Sequence, residues 1–129
     1  MMSVISNTIK ITQIDIMRAI NLSNNKELSH NVTIACSFFA RMKGLLGREG
    51  LEPGESLWIR PCNSIHTIGM KFPIDAVFLD SRNTVVEIKY RLPANRLTGI
   101  YYRASSVLEL PAGILLETRT EVGDRLEIA

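Results

Sequence analysis

Only two cysteines, Cys36 and Cys62, occur among the 129 residues, too few for the disulfide framework that holds small secreted domains together. Aromatic residues make up 6% of the chain, with a single tryptophan, which leaves few flat rings on which bases could stack. No sign of charge dominates. Fifteen Lys and Arg against thirteen Asp and Glu leave a net charge of +2, and a charge of that size, spread along the chain, draws a protein neither to nucleic acid nor to anionic lipid. Long apolar runs are missing too: Asn7, Lys10, Gln13, Asp15 and Arg18 break up the N-terminal stretch, which therefore reads as neither a signal peptide nor a membrane span. The expectation is a cytoplasmic chain with two reduced thiols and with no nucleic-acid or membrane partner.

What is present is a core of ordinary single-domain size. With 46% hydrophobic residues, a chain of this length buries roughly two thirds of its unfolded surface. Residues 1–14 keep no period and read as a tail or edge segment, leaving 15–129 as one domain without repeats or linkers. Residues 16–22 are apolar enough for a strand. The Ser23-Asn24-Asn25-Lys26 cluster then reverses the chain into a second arm at 31–35, with Val32 and Ile34 on one face.

A helix is expected over 38–46: Phe38, Phe39, Met42, Leu45 and Leu46 form one stripe, Ser37 can cap the start, and Gly47 can end it. The glycines at 44, 47 and 50 do not make a phosphate loop, because they lie within and after a helix instead of between a strand and a helix N-terminus. A turn at 52–55 leads to a strand at 57–59 that ends by Pro61. Residues 76–79 and 84–90 pair across the Asp80–Asn83 turn. After the long loop 91–106 come a strand at 107–110, a short helix at 114–119 and a closing strand at 125–128. The fold class is α+β, mostly β: a small antiparallel sheet curled toward a barrel, with one or two short helices packed on it.

Polar and rare residue types gather in PCNSIHTIGMKFPIDAVFLD, residues 61–80. Cys62, His66 and Asp75 supply the types of a nucleophile, a base and an orienting acid. In an extended segment, however, Cys62 and His66 share a face roughly 13 Å apart, and Pro61, Gly69 and Pro73 oppose the helix that would join them. For metal the inventory is His30, Cys36, Cys62 and His66, without the close paired spacing of small zinc modules. No metal and no cofactor is expected. Asp75, at the entrance of a strand, either bonds backbone amides that shape the preceding loop or faces a ligand.

The segment HTIGMKFPIDAVFLD, preceded by RMKGLLGR and followed by VLELPAG and GDRLEI, resembles the domain of unknown function 192 (DUF192) family, a small bacterial and archaeal domain, over roughly residues 15–128. The Pro73-x-Asp75 pair matches the family's motif, and His66 stands where a Trp is commoner. The resemblance implies no catalytic set; a position that takes either ring reads as filled for its flat shape, with the His66 ring packing as part of the loop's support.

The function expected from the sequence is therefore a non-catalytic binding domain for a small molecule or protein partner, using the loops 62–75 and 91–106. Its candidate ligand-binding residues are Asn63, Ser64, His66, Thr67, Met70, Asp75, Arg96 and Tyr101. Two alternatives stand beside it: a hydrolase or transferase using Cys62 or His66, and a structural or assembly domain marked by an exposed apolar patch.

Overall fold

A computed structural model describes residues 16–129; the expected N-terminal tail over 1–14 lies outside the described residues. Strands β1 (Met17–Asn21) and β2 (Lys26–Ala35) form the first hairpin, and helix α1 (Phe38–Lys43) follows. Strands β3 (Glu55–Ile59), β4 (Ile74–Leu79), β5 (Val85–Leu92) and β6 (Ser106–Pro111), helix α2 (Ile114–Glu117) and strand β7 (Leu126–Ile128) complete the chain. The strands make one seven-stranded sheet in the order β5-β4-β6-β3-β2-β1-β7. Every pair is antiparallel except β2 with β3, which run parallel, with α1 in the connection between them. The sheet curls until its two ends meet at one corner. There Thr84 bridges Arg125, and the Leu126 N–H donates to the Asn83 carbonyl at 2.9 Å.

Period-two alternation gives the central strands two buried faces, because successive side chains point to opposite sides. Trp58, Val77, Leu79, Leu108 and Leu110 line the inside of the curl, where Leu28, Leu115 and Leu126 join them. Leu57, Ile59, Ala76, Phe78 and Val107 point the other way into a second core, closed by Leu45, Ile65 and Met70. A sheet buried on both sides needs a cover, and here the cover is irregular backbone.

That cover is made by segments 61–73 and 93–105, which the sequence reads as loops. They are zipped together: Thr67 N–H donates to the Arg96 carbonyl at 2.8 Å, Thr98 N–H to Ile65 at 2.9 Å and Tyr101 N–H to Asn63 at 2.9 Å. Buried irregular backbone is tolerated only when its polar groups are paired, and this pairing meets that condition.

Helix α1 departs from the expectation. Ser37 does cap it, accepting from the Ala40 N–H at 3.0 Å, but the helix stops at Lys43 because Gly44, at φ 49°, turns the chain. None of its residues is buried: Phe38, Phe39 and Met42 are 63%, 81% and 58% exposed. Leu45, beyond the helix, is buried in the core, with Ala40 and Leu46 only partly buried against it. The spacing identifies residues that share a face; it does not say that the face meets protein. Leu45→Ala should therefore cost about 2–5 kcal/mol through lost burial and a cavity, and Phe39→Ala less than about 0.5 kcal/mol, as compared by urea titration. Ile34 is likewise 40% exposed although Val32, two residues earlier in β2, is buried.

Candidate pocket beneath the first helix

A cavity of about 300 Å³ opens between α1 with its exit and the segment 61–66. Phe38, Arg41 and Met42 form one wall, Cys62, Ser64 and His66 the other, and Met70 lines it further in. Gly44 and Ile59 also border it, together with the carboxyl of Glu109 from β6. Alternation along β6 puts Glu109 on the same face as Val107, between Leu57 of β3 and Ala76 of β4. A Cβ built on Gly44 would stand 3.9 Å from Glu109 Oε1, which places the carboxyl under the turn that ends α1.

The electrostatics of this cavity centre on Glu109. It is 3% exposed, and among the described residues its carboxyl makes no hydrogen bond and no ion pair. Burial alone pushes its pKa up to about 8, since an ionised carboxylate without a partner is costly away from water. Arg41 at the wall donates through Nη1 to the Pro61 carbonyl at 3.3 Å, while its buried Nε has no partner among the described residues. The Cys62 thiol donates to the Ser64 carbonyl at 3.1 Å. Its pKa is raised, chiefly by burial, so it is held as the protonated thiol at neutral pH.

Four of the residues expected at the site line the cavity: Asn63, Ser64, His66 and Met70. The other four stand outside it, each for a visible reason. Thr67 is fully buried, its hydroxyl donating to the Pro93 carbonyl at 2.6 Å and accepting from the Arg96 N–H at 2.9 Å, so it fastens the two cover segments together. Asp75 is fully buried as well, one oxygen accepting from the Arg91 N–H and the other from the Leu115 N–H, both at 2.8 Å. Of its two readings, the one in which it bonds backbone amides describes the chemistry, but the amides belong to β5 and the start of α2, not to the preceding loop. Arg96 is exposed and reaches only nearby carbonyls, at 3.4 Å. Tyr101 packs edge-on against Phe78, ring centroids 4.8 Å apart.

The second wall is thus α1 and its exit, not the 91–106 loop. His66 also differs from expectation: it is exposed, and the segment is supported by a backbone bridge between His66 and Leu97 instead of by a packed ring. No hydrogen bond joins Cys62 to His66 among the described residues, and no three His, Cys, Asp or Glu side chains there are placed to share a metal ion. Cys36 is exposed and Cys62 half-buried, both as free thiols. No described helix is long and apolar enough to cross a membrane. Sequence reasoning missed Glu109 and Arg41; the available signal was an acidic residue inside the otherwise apolar run Val107-Leu108-Glu109-Leu110.

The decisive comparison is with a family model described as "Uncharacterized ACR", DUF192, which matches residues 19–128. The chain belongs to the DUF192 family. Two archaeal relatives of this DUF192 chain, both named UPF0127 proteins, are similar along most of its length. The one from Thermococcus sibiricus is 32% identical, covering 84% of this chain and 72% of its own. The one from Pyrococcus abyssi is 34% identical, covering 84% and 94%. Among solved structures, a protein of unknown function from Novosphingobium aromaticivorans superimposes with a TM-score of 0.74 at 18% identity, covering 86% of this chain and 82% of that one. A Sinorhizobium meliloti chain, named for a proposed role in transcription regulation, gives 0.74 at 23%, covering 87% and 91%. These two show that the fold of the curled sheet is shared by other solved structures.

Proposed function

We propose that this chain is a non-catalytic binding domain that takes a small ligand in the cavity between α1 and segment 61–66. The observation that carries the reading is Glu109: a carboxyl buried in an apolar face, bordering a cavity and left without a protein partner among the described residues. Such a group costs stability unless something satisfies it. Proteins hold groups of this kind mainly where they contact ligands or substrates.

The enzymatic alternative has less support, because a protonated Cys62 bonded to a backbone carbonyl is a poor nucleophile. An assembly role would rest on exposed Phe38, Phe39 and Met42. Phe38 and Met42, however, also border the cavity, and so serve as its mouth. Titration with hexan-1-ol, followed through the methyl NMR signals of Met42 and Met70, tests the reading. Saturable shifts of both methyls, with those of Met17 unmoved, are expected; movement of neither would overturn it.

A further inference from the structure

We infer that the pocket selects a molecule bearing a protonated amine on an apolar stem, with the ammonium seated at Glu109 and the stem along Ile59, Ile65 and Met70; this rests on the binding reading above. The residues around the carboxyl state what is missing there. Leu57, Ala76 and Val107 surround it within the sheet and offer no donor. A protonated amine brings three N–H donors and the one charge that neutralises a carboxylate. Leu45, Leu46, Ile59, Ile65 and Met70 give the cavity an apolar border for a stem, beside the polar side chains of its walls, and about 300 Å³ is at the small end of ligand pockets.

The other charged and titratable groups that face the cavity are Arg41 and Lys43 from α1, and Cys62 and His66 from segment 61–66. Arg41 is committed in part to the Pro61 carbonyl, and Lys43 and His66 are exposed. Burial, with no charged neighbour contributing appreciably, sets the proton affinity of Glu109. Lys43 at the mouth would hold an anionic head at the rim, Arg41 keeps a buried Nε without a partner among the described residues, and the acid within draws a cationic head inward. In the free protein at neutral pH the carboxyl carries a proton. An entering ammonium keeps its own protons and displaces that one to solvent, so that binding releases one proton and gains strength with rising pH.

The test compares three six-carbon probes, hexylammonium chloride, hexan-1-ol and sodium hexanoate, at pH 6, 7 and 8, by calorimetry and by the Met42 and Met70 methyl signals. Hexylammonium is expected to bind at least tenfold more tightly than hexan-1-ol at pH 8. Its affinity should rise by up to about tenfold per pH unit below the pKa of Glu109. In Glu109→Gln the preference for the amine should vanish while hexan-1-ol still binds. Should that variant fail to fold, as its amide spectrum would reveal, the pH dependence of the native protein decides alone. Equal or tighter binding of hexan-1-ol or hexanoate at pH 8, or a pH-independent affinity for hexylammonium, overturns the amine inference and leaves the pocket standing. If none of the three moves either methyl, the binding reading falls with it.

Discussion

Glu109→Gln is expected to stabilise the free protein at pH 8 by about 2–4 kcal/mol, and to remove a slope in the native stability profile. The sign follows from where the proton sits in each state. Glu109 has an ordinary value of 4.5 in the unfolded chain and about 8 in the folded one. Below pH 4.5 both states hold the proton and burial of the neutral acid costs little charge energy. Between 4.5 and 8 the unfolded chain gives up its proton while the folded protein retains it, so stability falls by at most about 1.4 kcal/mol per pH unit. Above 8 both states are ionised and the penalty stays. A glutamine keeps the size and cannot ionise, and its cost is that of burying an amide. Urea titrations of both proteins at pH 5 and pH 8 measure the effect: the two should differ little at pH 5 and clearly at pH 8. A native protein that is no less stable at pH 8, relative to the variant, would mean that the carboxyl has a partner.

Asp75→Ala is expected to be among the most damaging single changes, at about 3–5 kcal/mol. The aspartate joins three elements from the first half of β4: one oxygen takes the N–H of Arg91 in β5, the other the N–H of Leu115 at the start of α2. Each bond to an ionised acceptor is worth about 1.5–3 kcal/mol, and the alanine leaves two amides with nothing to donate to inside the protein. Asp75→Asn should recover part of the loss, since one amide oxygen still accepts while the NH₂ meets a second donor. Thermal midpoints should rank native, Asn, Ala in descending order. Equal midpoints for Ala and native would show that solvent satisfies both amides.

Most of the strand framework was legible because strands announce themselves by alternation and by the turn chemistry between them. The Asp80–Asn83 turn is the clearest case, with Asp80 accepting from the N–H groups of Arg82 and Thr84 at 2.9 Å. What could not be read was partnership between distant segments. Nothing in 31–35 says that it lies parallel to 55–59, and nothing in Phe38, Phe39 and Met42 says that their stripe borders a cavity instead of a core. For the site, rare residue types drew attention to 61–75, and that stretch does supply one wall. The same criterion passed over Glu109, whose significance depends on what two other strands place beside it. Thr67 and Asp75 were visible as polar residues in a crowded stretch, but whether a hydroxyl or carboxylate faces a ligand or a backbone amide is decided by chain that lies 16–40 residues away.

The order of the strands also bears on how the protein reaches its native state. The β1–β2 and β4–β5 hairpins are local and can form within microseconds, but β6 joins them only by inserting between β4 and β3, and Ala19 of β1 pairs with Ile128 of β7 across nearly the whole described chain. Contacts of that separation carry a loop-closure cost before they return any stabilisation, which places the domain among slow folders, on the order of milliseconds to seconds. On the ribosome, the first three strands must wait with an unpaired edge on β3 until residues 106–111 have emerged. The hydrophobic stretch Leu57-Trp58-Ile59 is thus the segment most exposed to mispairing during synthesis, and Arg60 and Pro61 directly after it supply the charge and the missing N–H that limit such pairing.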